Sequence, residues 1–259
     1  MSRPAPVARA SVALAGMELR LALRRGENLL VMAVIPVAVL LFFGGLGIIP
    51  LATGSSAVDF LLPGSMALAI IATSLVNLGI ATAYERSYGV LKRLGGSPLP
   101  RAGLVAAKIA AVLAIEVVQL LLLVGAAAVV LGWTWPSGAS PAALGLIVVG
   151  LGLGTLAFAG LGLLMAGTLR AEATLALANA LFLAFLMLGG IVLPLDHLPA
   201  PLAAVAAILP ANALAEVFRA GLGGTAAVAG SGDLVSALVV LVVWGVGSTV
   251  LAASRFRWD

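Results

Sequence analysis

Apolar runs about twenty residues long recur along this chain, separated by short polar interruptions. Leu29–Ile49, Phe60–Ala83, Lys108–Leu131, Ala142–Thr168, Ala173–Leu193 and Leu234–Ala253 each reach the length that a helix needs to cross a hydrocarbon layer of roughly 30 Å. The alternation over ~10 residues that marks barrel strands is not seen. The pattern predicts an all-α integral membrane protein with six transmembrane helices, forming one membrane domain over residues 1–259.

The interruptions are unequal. Residues 1–6 read as a short disordered tail, without the apolar core and cleavage site of a secretory signal. Over 7–26, Val7, Ala10, Leu14, Met17 and Leu21 recur at helical spacing with Arg9 and Arg20 opposite, which predicts an amphipathic helix lying in the membrane interface. Glu18 and Arg25 fall near its apolar side and are expected to snorkel or to sit beyond the buried part. Pro36 lies inside the first span, where membrane helices tolerate proline if neighbours satisfy the freed carbonyl. Pro50–Asp59 reads as a polar loop, and Arg170 with Glu172 as a tight connection. Trp133 and Trp135, in the turn-rich loop Gly132–Pro141, suit an interfacial belt.

Residues 194–232 break the pattern, because Pro194, Pro199, Pro201 and Pro210 cut them into pieces too short to span. Leu214, Val217, Phe218 and Leu222 keep helical spacing there, with Glu216 and Arg219 placed to pair. Two short re-entrant helices, dipping into the outer leaflet, are expected.

The longest charged interruption is Tyr84–Arg101, YERSYGVLKRLGGSPLPR. It carries Glu85, Arg86, Lys92, Arg93 and Arg101 in a chain of which only 9% is charged. Gly95-Gly96 suits a helix C-cap, and Ser97-Pro98-Leu99-Pro100 forbids continuation. The stretch therefore predicts a short helix, a sharp turn and a return to the membrane. Tyr84, Tyr88, Leu91 and Leu94 supply an apolar ridge along it. Charge alone leaves two readings open, a basic loop that sets topology and a handle for a partner.

Composition sharpens the class. At 63% hydrophobic residues the chain exceeds the usage of soluble domains, and without cysteine it has neither disulfides nor thiol chemistry. His197, the one histidine, forms no metal cluster alone and reads as a loop residue. The net charge of +4 is distributed unevenly: thirteen of fourteen Lys and Arg lie in the N-terminal segment, in 84–108, at Arg170 or at the C-terminus, and only Arg219 lies on the other side. By the positive-inside rule both termini and Tyr84–Arg101 are expected in the cytoplasm and 194–232 outside. The charge therefore serves topology, and no nucleic acid partner is implied.

These residues resemble the permeases of type-2 ABC exporters, close to the drug-resistance (daunorubicin-type) branch of actinobacteria. That family's loop between its second and third spans runs Glu-Arg, Gly, Leu-Lys-x-Leu, then Pro-Leu-x-Arg. Here these are Glu85-Arg86, Gly89, Leu91-Lys92-Arg93-Leu94 and Pro98-Leu99-Pro100-Arg101. Pro194-Leu195-Asp196-His197-Leu198-Pro199 is similar to its Phe-Pro-Leu-x-x-Leu-Pro loop. Leu209-Pro210, Asn212, Glu216 and Arg219 resemble its Asn-Pro…Glu…Arg segment, with the Asn and Pro in altered order.

The resemblance implies a coupling helix at 84–94 that docks on a cytosolic ATPase, with Tyr84, Glu85, Arg86, Tyr88, Leu91 and Lys92 in contact. It implies two ATPase subunits that carry ATP and Mg, a second permease, identical or homologous, and a place in the bacterial plasma membrane among its lipids. It also implies an outer gate in which Pro210, Glu216, Phe218 and Arg219 are candidates. The chain itself is expected to bind no cofactor or metal and to catalyse nothing. Its only lysines, Lys92 and Lys108, stand outside any P-loop context, so ATP-driven transport needs a separate ATPase. The substrate expected is an amphiphile, drug-like or lipid, moved out of the cytoplasm or inner leaflet.

Thr73 and Glu116 are polar residues inside spans and are pathway candidates, and the resemblance adds Asn77 and Asn179 in the second and fifth spans. For each, an interhelical hydrogen bond is the plainer reading. An ion-driven carrier using Glu116 and a non-transporting scaffold are the alternative functions. In the glycine-rich fourth span, the Gly150–Gly154 spacing permits close helix approach, more readily within the chain than at a dimer seam.

Overall fold

A backbone placed in lipid must satisfy its own hydrogen bonds, and a helix does so within one segment. The computed structural model, which describes residues 6–24, 26–46, 56–96, 100–135, 140–223 and 234–255, consists of ten α-helices with no strand among the described residues. They are α1 (Val7–Arg24), α2 (Gly26–Leu46), α3 (Ala57–Ser87), α4 (Val90–Gly95) and α5 (Arg101–Leu131), followed by α6 (Pro141–Thr168), α7 (Ala171–Leu188), α8 (Ala200–Ala207), α9 (Pro210–Gly221) and α10 (Leu234–Arg255). Several expectations lie outside the described residues: the first residues of the tail, most of the Pro50–Asp59 loop, Ser97–Leu99, the end of the tryptophan loop, 224–232 and the last four residues. The side chains of Val7, Leu94 and Arg101 lie outside them too.

Among the described residues five helices, α3, α5, α6, α7 and α10, are long and apolar enough to cross a membrane. The α8–α9 pair, bent by 74°, makes a sixth if it counts as one broken span. The first expected span falls on α2, which includes the apolar run Met32–Leu46, and its expected end at 47–49 lies outside the described residues. Pro36 and Pro63 sit inside α2 and α3, consistent with the tolerance of membrane helices for proline.

The centre of the bundle is α3. Its first half is enclosed from Leu61 to Leu75, with α9, α6, α5 and α2 around it. Between Ile71 and Asn77 it takes a π turn, in which Leu78 N–H reaches back to the Thr73 carbonyl. Such a turn inserts one residue and re-aims the side chains around it, and here it carries the buried Thr73 and Ser74.

The glycines of α6 let three neighbours, α9, α10 and α3, approach. A Cβ at Gly154 would lie 2.7 Å from Leu214 of α9, and one at Gly150 3.0 Å from Phe218. At Gly160 it would collide with Ser248 and Thr249 of α10. At Gly162 it would lie 2.9 Å from the carbonyl oxygens of Ser74 and Leu75, so α6 crosses α3 at the π turn itself. The Gly150–Gly154 pair is thus used inside the chain.

The connection after α7 turns through Gly190, at φ +61°, and lies so close to α3 that a Cβ at Gly64 would come within 2.6 Å of the Ile191 carbonyl oxygen. From there the chain bends into α8 and α9. Trp244 of α10 donates to the Ile208 carbonyl at their junction, 3.0 Å away.

This seam makes a direct prediction. Gly162→Val pushes a branched side chain into two backbone carbonyls and is expected to cost about 2–3 kcal/mol. Gly152→Ala, where nothing lies within 4 Å, is expected to be neutral. Thermal unfolding of the two variants in detergent decides; equal melting temperatures would contradict the packing.

Candidate functional site

Three polar groups interrupt the apolar bundle, one near each end and one in the middle. At the end that carries α1 and α4, Lys108 of α5 is only 1% exposed, yet it is a cation. It lies 2.8 Å from Glu18 Oε1 of α1 and 2.7 Å from Glu85 Oε2 of α3. Burying an ammonium is tolerable only when it is paired, and two carboxylates do so here. Glu18, expected to snorkel or to sit beyond the buried part, instead pairs inward with Lys108. One residue on, Arg86 donates to the Leu169 carbonyl at 2.6 Å and ties the end of α3 to the α6–α7 connection.

α4 is laid onto this base. Gly89, at φ +72°, makes the corner that α3 cannot turn as a helix. Leu91 is fully buried among Leu14, Leu104 and Ala107. Of the six residues expected to meet an ATPase, Tyr88 (75% exposed) and Lys92 face outward, joined by Arg93. Tyr84, Glu85 and Arg86 are half-buried, and Leu91 offers no surface because it anchors the helix from below.

The middle group is built at the π turn. Glu116 of α5 has no exposed surface. Its Oε1 accepts from Ser74 of α3 and its Oε2 from Thr155 of α6, each at 2.5 Å. One helical turn along α5, Gln119 Oε1 accepts from Thr73 at 2.8 Å. The carboxyl thus joins three helices. Of the four pathway candidates, Thr73 and Glu116 meet here in a closed cluster. Asn77, half-buried, lines a cavity of about 460 Å³ between α1, α2, α3 and α5. Asn179 stands apart on the exposed face of α7, where it donates to the Leu175 carbonyl of its own helix.

The opposite end belongs to α9, where Pro210, Phe218 and Arg219 are all buried. Arg219 donates to Glu216 at 2.7 Å and to the Gly190 carbonyl, and its guanidinium lies 4.3 Å from the centre of the Phe60 ring. The expected Glu216–Arg219 pair is formed. The same arginine also fastens the α7–α8 connection to α9 and to the start of α3. His197 contacts its neighbour Asp196 on an exposed turn, and no group of three metal-ligating side chains occurs among the described residues.

Ser74, Thr155, Gln119, Glu18 and Lys108 are members of these groups that sequence reasoning did not assign to them. Each was visible as a polar residue in apolar surroundings. Their partners lie 23 to 90 residues away, and no local spacing reveals such pairs.

A bundle of membrane-crossing helices, with polar groups enclosed between them and a short charged helix at one end, defines a multi-pass membrane protein with a helical handle. Compared with known families, the chain matches ABC-2 type transporter over residues 10–222. It belongs to that family, and the matched region is the membrane domain of a transport permease. None of the curated proteins compared with the chain matches it.

The middle cluster yields a test. Glutamine at 116 can accept from Ser74 through its oxygen and donate to Thr155 through its amide. Glu116→Gln is therefore expected to leave the melting temperature nearly unchanged. Glu116→Leu loses both contacts and is expected to cost about 1–2 kcal/mol. A Gln variant as unstable as the Leu variant would show that this pairing is not what holds the three helices.

Proposed function

We propose that this chain is the permease subunit of an ATP-driven exporter that moves an amphiphile, drug-like or lipid, out of the cytoplasm or the inner leaflet. The observation that carries the reading is α4. It is a short helix that shows Lys92 and Arg93 to the outside, with Tyr88 exposed at the corner before it, while Leu91 and the Lys108 pairs fix its base. A separate ATPase that drives a membrane domain needs such a rigid handle.

In this reading two ATPase subunits hold ATP and Mg and grip α4. α2 is the first of six spans, α1 lies in the interface, and both termini face the cytoplasm of a bacterial cell. The charge distribution supports that orientation: Lys92, Arg93, Lys108 and Arg170 gather at the α4 end and Arg219 at the other. A second permease completes the pathway. The exposed amide of Asn179 supports a partner against α7, because a polar group facing lipid is unfavourable. α9 and its Arg219 contacts form the outer gate. ATP-driven closure shifts the bundle between two packings, as rigid handles do in other switching assemblies.

An ion-driven carrier would need Glu116 accessible, and its enclosure by Ser74 and Thr155 favours the exporter. The test uses the ATPase that co-purifies with this chain from its native membranes. Lys92→Glu with Arg93→Glu is expected to weaken its co-purification and its stimulated ATP hydrolysis by about tenfold. Full coupling in the double variant would contradict the proposal.

A further inference from the structure

The cavity between α1, α2, α3 and α5 has two unlike ends. Leu21, Ile80, Val112 and Ile115 form an apolar wall. Glu18, Tyr84, Glu85 and Tyr88 line the part nearest α4. From Asn77 to Glu85 the lining runs along α3 for roughly 12 Å at the rise of a helix. The volume of about 460 Å³ is of the size that small-molecule sites have.

Its charge is asymmetric. Among the described residues two carboxylates and one ammonium line it, which leaves one negative charge among them. The ammonium is already spent, since Lys108 is 1% exposed and is held by both acids. Glu18 and Glu85 keep 16% and 21% of their side-chain surface and are what a guest meets. Arg86 is turned away onto the Leu169 carbonyl, and Arg20 and Arg24 are exposed on α1 outside the lining. Beside the acids, the Tyr84 and Tyr88 rings lie 6.0 Å apart at 34°. Aromatic faces attract cations, and carboxylates attract them more strongly. An anionic guest would be repelled, and a neutral apolar one would strip water from the acids without replacing it.

We propose that this cavity binds an amphiphile carrying a protonated amine, its ammonium at Glu18 and Glu85 beside the two tyrosine rings and its apolar body along Ile80, Val112 and Ile115. The site deepens the exporter reading by giving the substrate class, and it rests on that reading only for its role in transport. An aminophospholipid of the bilayer and a foreign cationic amphiphile share this chemistry.

Native mass spectrometry of the purified permease, released from a neutral detergent, tests it with three twelve-carbon probes. Dodecylammonium is expected to be retained as one molecule per chain, and dodecanol and dodecyl sulfate are not. Glu18→Gln, which removes one of the two carboxylates, is expected to weaken retention by about tenfold. Ile80→Trp, which fills the apolar end and keeps both acids, is expected to abolish it, so the test does not depend on the Glu18 variant folding. Retention of dodecanol equal to that of dodecylammonium, or of dodecylammonium unchanged in both variants, overturns the proposal.

Phosphatidylethanolamine and phosphatidylglycerol separate the sources. Preferred retention of phosphatidylethanolamine, lost in Ile80→Trp, assigns a bilayer lipid. Retention of dodecylammonium alone assigns a foreign amphiphile, and retention of neither overturns the site. Binding is read on the permease alone. Its failure with ATPase coupling intact overturns this inference only, and lost coupling with binding intact overturns only the exporter reading.

Discussion

A lysine shut inside a helical bundle has to be paired, and the pairing of Lys108 organises one end of this protein. Glu18 and Glu85 bring α1 and the end of α3 to α5. Removing either acid would leave a buried cation short of a partner, so the three helices are held together more firmly than apolar contact alone would hold them. The position of α4 follows from this. Once α1 and α5 are fixed, Leu14, Leu104 and Ala107 form the pocket that takes Leu91, and Gly89 supplies the corner. Arg86 extends the same base to the α6–α7 connection. A load placed on α4 therefore reaches α1, α3, α5 and the start of α7 through short contacts.

The middle of the bundle is built on the opposite principle, close approach of backbone. Gly162 and Gly79 let α6 lie against the π turn of α3, where a Cβ at Gly79 would stand 3.1 Å from the Gly162 Cα. The same turn re-aims Thr73 and Ser74 toward α5, where Gln119 and Glu116 await them. Small residues and enclosed polar pairs are the two means of association left when lipid removes the hydrophobic difference between helices. They coincide here within two helical turns of α3. The far end combines both, with Gly150 and Gly154 admitting α9 and Arg219 fastening it to Gly190 and Phe60.

Much of this fold is legible in the hydrophobic pattern, because length and apolarity are properties of single segments. The long spans, the break at the four prolines of 194–210 and the Glu216–Arg219 pair follow from local spacing, whereas the short helix expected over 84–94 is found only at Val90–Gly95, because Tyr84–Ser87 continue α3 and Gly89 makes the corner. What local spacing lacks is direction. Leu91 belongs to an apolar ridge in sequence, but only the placement of Leu14 and Leu104 shows that it faces inward. Glu18 looks misplaced on its own helix until Lys108, ninety residues later, is found beside it. Thr73 and Asn77 look equivalent as pathway candidates. The π turn between them puts one into a closed cluster and the other on a cavity. Asn179 has the same composition signal as both and lies on the outer face of α7.

The central claim is that α4 is where a partner ATPase grips this permease, and contact at named residues tests it most directly. A photo-crosslinking residue at Tyr88 or Lys92, in native membranes, is expected to capture an ATPase subunit. The same residue at Val148, exposed on α6, is expected to capture none. Capture at Val148 with none at Tyr88 and Lys92 would contradict the account.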